Sequence, residues 1–76
     1  MIRKWLKWQT IRRNLSNDWA YRHKHGRLFI TQDRKIKGRF WIEAGRRGHL
    51  DVNLNTAIAW LRHITDNDPD LLVGIE

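Results

Sequence analysis

Residues 35–43 read KIKGRFWIE, and the alternation within this stretch decides the fold that the sequence predicts. Successive residues of a β-strand face opposite sides of a sheet, so this stretch as a strand has one apolar and one polar side. The apolar side consists of Ile36, Gly38, Phe40 and Ile42, and the polar side consists of Lys35, Lys37, Arg39 and Trp41. The stretch therefore predicts a strand with one face in the core and a second face that carries three cations and an indole.

Two further stretches predict strands on either side of it. Residues 27–33 (RLFITQD) and 49–53 (HLDVN) are rich in strand-forming residues that alternate in polarity, and turn-forming residues separate them from the central strand at 33–35 and 44–48. Residues 26–53 are thus expected to form a three-stranded antiparallel sheet. Its expected apolar face consists of Leu28, Ile30, Ile36, Phe40, Ile42, Leu50 and Val52.

The N-terminal part is expected to be helical. In residues 2–15 a helical projection places Trp5, Trp8, Ile11 and Leu15 on one side, which predicts an amphipathic helix. Residues 19–25 can be interpreted either as further helical turns that end at Gly26 or as a strand in which alternate residues share a face. The helical interpretation is favoured, which gives a Trp-rich helical segment over residues 1–25.

The C-terminal part is expected to contain a second helix over residues 54–66. Asn53 or Asn55 can cap it, and its apolar arc includes Trp60, Leu61 and Ile64, which would cover the sheet. Residues 67–76 form an acidic and apolar tail that suits a short strand or a segment covering the core. The predicted fold is one small α+β (α/β) domain over residues 1–76: helix, three-stranded sheet, helix packed on one sheet face, and tail.

Composition narrows the classes of function. Residues 1–65 contain all 15 Lys and Arg but only four of the eight acids, so this part carries +11 and the last 11 residues carry −4. Such a positive charge indicates nucleic acid or an acidic surface as partner.

The chain has no cysteine, which excludes disulfides and thiolate metal sites. The N-terminal stretch has no continuous apolar run, so neither a signal peptide nor a membrane span is expected, and a cytoplasmic location (the host cytoplasm, for a phage protein) is expected.

The polar face of the predicted sheet has two interpretations. Cations can neutralise phosphates and exposed aromatic rings can stack on bases, so the face suits nucleic acid. Alternatively, Phe29 and Trp41 are buried beneath the N-terminal helix and the sheet has a core on both sides. The residues expected to bind nucleic acid are Arg27, Phe29, Arg34, Lys35, Lys37, Arg39, Trp41, Arg46 and Arg47.

The order of a basic three-stranded sheet followed by the helix NTAIAWLRHI resembles the arm-type DNA-binding domains of tyrosine integrases. The resemblance covers about residues 27–64. It implies a sheet that enters the major groove of DNA, with the helix packed behind it, and favours DNA over RNA as ligand. The Trp-rich N-terminal helix is an addition to that pattern, which indicates an independent accessory protein of a phage or another mobile element.

A second hypothesis belongs to a different class. Five tryptophans exceed what a small core needs, and Trp and Arg are the residues that dominate protein interfaces. The chain could be a small phage inhibitor that docks on a host defence nuclease or CRISPR-type complex, at an acidic or nucleic-acid-binding surface, through Trp5, Trp8 and Arg12. No metal ligand or cofactor is expected, because His23 and His25 are poorly spaced for zinc and no carboxylate lies near them in sequence. The order of helices and strands resembles small toxin ribonucleases, in which a histidine acts as general acid or base, but their glycine-serine-histidine motif is absent, so no catalytic residue is expected.

Overall fold

The computed structural model describes residues 2–26, 28–45 and 49–75, and within these ranges it describes the side chains of all residues except Ile2, His49 and Leu50. Two helices and a five-stranded antiparallel sheet confirm the predicted α+β class. The elements in chain order are α1 (Ile2–Ser16), β1 (Ala20–His23), β2 (Leu28–Gln32), β3 (Arg39–Ala44), β4 (His49–Asn53), α2 (Leu54–Ile64), a 3-10 turn (Pro69–Leu71) and β5 (Leu72–Ile75).

The sheet has the strand order β4-β3-β2-β1-β5, so the prediction of three strands is wrong in number. The expectation that residues 1–25 are helical is also wrong, because α1 ends at Ser16. The backbone N–H groups of Asn17 and Trp19 both donate to the carbonyl of Asn14, and Asp18 adopts a positive φ of 65° that turns the chain out of the helix. Residues 20–23 then pair with strands on both sides, which satisfies their backbone groups better than one more helical turn would.

The tail forms the edge strand next to β1. Residues 72–75 pair with residues 20–23, with Gly74 opposite Tyr21. Asp68 caps the 3-10 turn before this strand, because its Oδ1 accepts the backbone N–H of Asp70 at 3.0 Å. The side chain of Asp70 in turn forms an ion pair with Lys7 of α1. The acidic segment therefore folds back onto the basic part of the molecule.

Both helices pack on the same face of the sheet, which we call the core face. The buried residues of α1 and α2 form one cluster with those of the strands. Trp8, Ile11 and Leu15 are buried as predicted, and so are the strand residues Leu28, Ile30, Phe40 and Ile42. Two side chains that were expected to face the core are exposed instead, Ile36 at 53% and Trp60 at 38%. Trp5, which was placed on the apolar side of the helix and was also expected to contact a protein partner, is 61% exposed.

The second helix begins at Leu54 as predicted and ends at Ile64, two residues before the predicted end. The side-chain Oδ1 of Asn53 accepts the backbone N–H of Thr56 at 2.9 Å, which caps the first turn. Ala57, Ile58 and Leu61 are buried against the sheet and α1. In the described ranges, neither helix has both the length and the apolarity needed to cross a bilayer.

Candidate nucleic-acid interface

The face of the sheet opposite the core face, which we call the outer face, has neither helix packed on it. Its described strand side chains, which alternate with those of the core face, are Ala20, Arg22, Phe29, Thr31, Arg39, Trp41, Glu43, Asp51, Asn53, Val73 and Ile75. The interpretation of a two-sided core beneath α1 is wrong, because α1 lies on the core face and Trp41 is 38% exposed. In the described part of the chain, neither helix covers the outer face.

Two aromatic residues lie side by side on this face. Phe29 of β2 is opposite Glu43, and Trp41 of β3 is opposite Thr31, so the two rings occupy diagonal positions on adjacent strands. Such diagonal positions are about 7–8 Å apart between Cα atoms, within reach of aromatic side chains. Phe29 is half-buried and Trp41 is exposed.

The strand part of the outer face is not the cationic row that the sequence predicted. Only Arg39 among its three predicted cations lies in β3, and its Nε contacts Oδ1 of Asp51 at 3.3 Å while its Nη2 donates to the carbonyl of Asp51 at 2.9 Å. Arg22 and Arg39 are matched in number by the acids Glu43 and Asp51. The strands therefore contribute a face with aromatic rings and balanced charge.

The remaining cations lie in the loop of residues 33–38, which joins β2 to β3. Lys35 and Lys37 are exposed loop residues, so their assignment to a strand is wrong. Gly38 has a φ of +85°, a conformation outside the strand region, and β3 can begin only after it. The loop is ordered at its start, because Oδ1 of Asp33 accepts the backbone N–H of Lys35 at 2.8 Å.

The loop and the outer face together form a shallow recess of about 950 Å³. Phe29, Thr31 and Ile75 contribute strand side chains to it. Arg34, Lys35 and Lys37 contribute the cations of the loop, while Asp18 and Asp33 are the two acids in the lining. The structure thus places four predicted site residues, Phe29, Arg34, Lys35 and Lys37, around one recess, with Arg39 and Trp41 on the same face beyond it.

Other predicted residues lie elsewhere. Arg27, Arg46 and Arg47 lie outside the described residues. Trp5, Trp8 and Arg12, the residues expected to contact a protein partner, all line a groove between α1 and α2 on the opposite side of the sheet. In that groove Trp5 is exposed and Trp8 is buried.

His23 has a local structural role. His23 is buried, and its Nδ1 accepts the backbone N–H of His25 at 3.1 Å across the turn after β1. Within the described part of the chain, no three His, Asp or Glu side chains are grouped so that they could hold a metal ion.

Sequence reasoning missed four contributors to this face, Ala20, Arg22, Val73 and Ile75. Arg22 lies on the outer face because Tyr21 and His23 on either side of it are buried on the core face. The alternative interpretation of residues 19–25 as a strand predicts that placement. Val73 and Ile75 could be found only through the pairing of β5 with β1, which is a long-range contact.

Comparison of the chain with protein-family models, with curated proteins and with solved structures finds no match. The site is therefore interpreted from its own geometry.

Proposed function

We propose that this protein binds an unpaired nucleic-acid strand on the outer face of its sheet, without catalysis, as an accessory factor of a phage or another mobile element. In this proposal Phe29 and Trp41 stack on bases, and the loop cations Arg34, Lys35 and Lys37 contact phosphates. The observation that carries the proposal is the exposure of Trp41 beside Phe29 on a sheet face that both helices leave uncovered.

The width of the sheet supports an unpaired strand rather than a duplex. Four spacings of about 4.8 Å separate the two edge strands, which gives a face about 19 Å across. The major groove of B-DNA is only about 12 Å wide, so the whole face does not fit into it as a narrow ribbon would. The entry into the major groove that the integrase resemblance implies is for this reason not part of the proposal.

The distribution of charge supports the same choice. The described strand residues include as many cations as acids. The loop of residues 33–38 beside them carries three exposed cations and one partly buried acid, Asp33. A duplex presents phosphates across the whole contact surface, whereas an unpaired strand can place its bases on a neutral aromatic face and its phosphates along one side. The recess between Phe29 and the loop provides a surface of this kind.

A binding measurement with matched charge variants tests the proposal. We expect fluorescence anisotropy to show binding of labelled oligo(dT) or oligo(U) of about 12 nucleotides, within the site sizes of single-strand binders, and weaker binding of a duplex of equal length. Three phosphate contacts predict a slope of log affinity against log salt of about −2 for single strands. The comparison of oligo(dT) with oligo(U) tests the preference for DNA over RNA.

The variant Lys35→Gln/Lys37→Gln should reduce the steepness of that slope by about 1.4. Its control is Arg3→Gln/Arg13→Gln, which removes the same charge from exposed positions of α1 on the other side of the sheet. An equal loss in both variants, or tighter binding of the duplex than of either strand, would contradict the proposal.

A further inference from the structure

A second candidate site lies between α1 and α2, on the side of the molecule away from the outer face. It is a groove of about 230 Å³. Lys4, Arg12 and Arg62 line it as cations, and Trp5, Trp8 and Ile58 contribute apolar surface. No Asp or Glu occurs among the described residues that line it. The groove therefore combines apolar surface with three positive charges that have no acid beside them in its lining.

Both arginines of the groove are held by neutral partners. Nη1 of Arg12 donates to Oδ1 of Asn55 at 2.8 Å, and Nε of Arg62 donates to Oδ1 of Asn67 at 2.9 Å. An amide oxygen fixes the orientation of a guanidinium without neutralising its charge. The remaining N–H donors of each guanidinium can then bind a carboxylate with little loss of side-chain entropy.

Trp8 contributes a further donor. The residue is 5% exposed, and its Nε1 is buried with no hydrogen-bond acceptor in the described part of the chain. The guanidinium carbon of Arg62 lies 5.8 Å from the centroid of the Trp8 ring, a cation–π arrangement. A buried donor without an acceptor costs free energy, and the signal of this indole N–H reports on changes at the groove that Trp8 lines.

We propose that this groove binds an acidic side chain, with an adjacent apolar residue, from a segment of a protein partner. Its volume is below the range of about 300–1,000 Å³ typical of small-molecule sites, so it suits one or two side chains. Arginine forks match carboxylates, and Trp together with Arg is the composition of interface hot spots. The inference goes beyond the proposed function, because it concerns a different surface and a different class of ligand.

The test is an NMR titration of the whole, isotope-labelled chain with two capped hexapeptides. One peptide has the sequence Asp-Leu-Glu-Glu-Leu-Asp, and the other is its uncharged counterpart Asn-Leu-Gln-Gln-Leu-Asn. We expect the acidic peptide at millimolar concentration to shift the indole N–H signal of Trp8 and the Nε–H signals of Arg12 and Arg62. The uncharged peptide should leave those signals in place. Absence of shifts with the acidic peptide, or equal shifts with both peptides, would overturn the proposal.

Variants locate the binding. Arg12→Gln/Arg62→Gln should weaken the acidic peptide about tenfold, because two charge-assisted hydrogen-bond donors are lost. Arg3→Gln/Arg13→Gln, which removes two charges from α1 outside the groove, should change the affinity less than about twofold. An equal effect of the two variants would mean that the peptide is attracted only by the net charge of the protein. That result would overturn the proposal of a specific site in the groove.

A third variant keeps the test valid if the double variant is unstable. Asn67 has a φ of 62°, a conformation that glycine adopts easily, so Asn67→Gly should fold while it releases Arg62. We expect it to weaken the acidic peptide about threefold, since Arg62 is no longer oriented. An unchanged affinity would show that orientation by the amide has no part in binding.

Titration with oligo(dT) separates this inference from the proposed function. Shifts at Phe29 and Trp41, with the groove signals unchanged, are expected if both proposals hold. If the oligonucleotide shifts Trp8 and Arg62 and loses affinity in Arg12→Gln/Arg62→Gln, the groove binds nucleic acid and the protein-partner inference is overturned. If no oligonucleotide binds and the acidic peptide does, the proposed function fails and the groove inference stands.

Discussion

Trp41 and Phe29 lie diagonally across adjacent strands on the face of the sheet that points away from both helices. Their positions follow from the alternation of β2 and β3, in which every second side chain enters the core. Two neighbouring aromatic residues on an uncovered face do not contribute to the main hydrophobic cluster. The proposed function assigns these two rings to the binding of bases.

The first prediction concerns these two rings. Trp41→Ala and Phe29→Ala should each weaken the binding of a single-stranded oligonucleotide by about 1–3 kcal/mol, the usual contribution of one stacked base. Fluorescence anisotropy at fixed salt measures the loss. Because neither variant removes a charge, the salt dependence should remain close to that of the unmodified protein.

Trp60 provides a matched control for the first prediction. It is 38% exposed, as Trp41 is, but it belongs to α2 on the other side of the sheet. Trp60→Ala should therefore leave oligonucleotide affinity unchanged. A similar loss in Trp60→Ala and Trp41→Ala would mean that the outer face has no special role.

The second prediction concerns the ion pair between Arg39 and Asp51. Asp51→Asn removes the carboxylate, while the carbonyl of residue 51 still accepts a hydrogen bond from Arg39. We expect oligonucleotide affinity to rise about twofold to threefold, because Arg39 then carries an uncompensated charge beside Trp41. The free energy of unfolding should change by less than about 1 kcal/mol, as is usual for an exposed ion pair.

Asp66→Asn is the control for the second prediction. It makes the same change of charge after α2, at a positive φ of 53° that Asn also tolerates. If both variants raise the affinity equally, the gain reflects net charge only. A weaker affinity in Asp51→Asn would show that Asp51 itself contacts the ligand.

The central part of the fold could be predicted from the sequence because its signals are local. Phe40 and Ile42 alternate with exposed residues in one strand, and Asn53 begins α2 with a recognisable cap. The strands β1 and β5 could not be predicted in this way. Each has only four residues, too few to show a reliable alternation of apolar and polar side chains. These segments become strands because they pair with each other although they lie far apart in the sequence.

The candidate site was predictable in part for the same reason. Side chains alternate between the two faces along β2 and β3, and this alternation alone predicts that Phe29 and Trp41 lie on the outer face. Lys35 and Lys37 also fit the alternation, but Gly38 interrupts it with a positive φ that no sequence period reveals. Of the groove between α1 and α2, the sequence predicted Trp5, Trp8 and Arg12 as residues that contact a partner. The contribution of Arg62 could not be predicted, because it joins Arg12 only when α1 packs beside α2.

The third prediction tests the packing of the tail strand. A Cβ atom added at Gly74 would lie 3.2 Å from Cζ3 of Trp19 and 3.3 Å from Cε1 of Tyr21. We expect Gly74→Ala to lower the free energy of unfolding by about 1 kcal/mol, since this crowding exceeds the gain from a stiffer backbone. Chemical denaturation measures the change.

Two further variants control the third prediction. Val73→Thr alters the neighbouring exposed residue, keeps its branched shape, and should change stability by less than about 0.5 kcal/mol. Trp19→Leu should make room for the added methyl group, so the double variant Trp19→Leu/Gly74→Ala should lose less stability than the two single variants together. A strictly additive result would mean that Trp19 does not crowd position 74.

The fourth prediction concerns pH and the ion pair between Lys7 and Asp70. The hydrogen bond and the charge of Lys7 lower the pKa of Asp70, with smaller contributions from the charges of Lys4 and Lys24. A carboxyl whose pKa is lowered by folding stabilises the folded state above its unfolded pKa of about 4, and this stabilisation is lost as the pH falls through the folded pKa. Asp70→Asn should therefore be less stable than the unmodified protein at neutral pH, and the stabilities of the two proteins should converge in acid.

Thermal unfolding measured from pH 7 down to about pH 2 tests this convergence. Lys7→Gln should show the same convergence, and the double variant should lose little more than either single variant, because one interaction is removed in all three. A difference between Asp70→Asn and the unmodified protein that stays constant with pH would contradict the assignment.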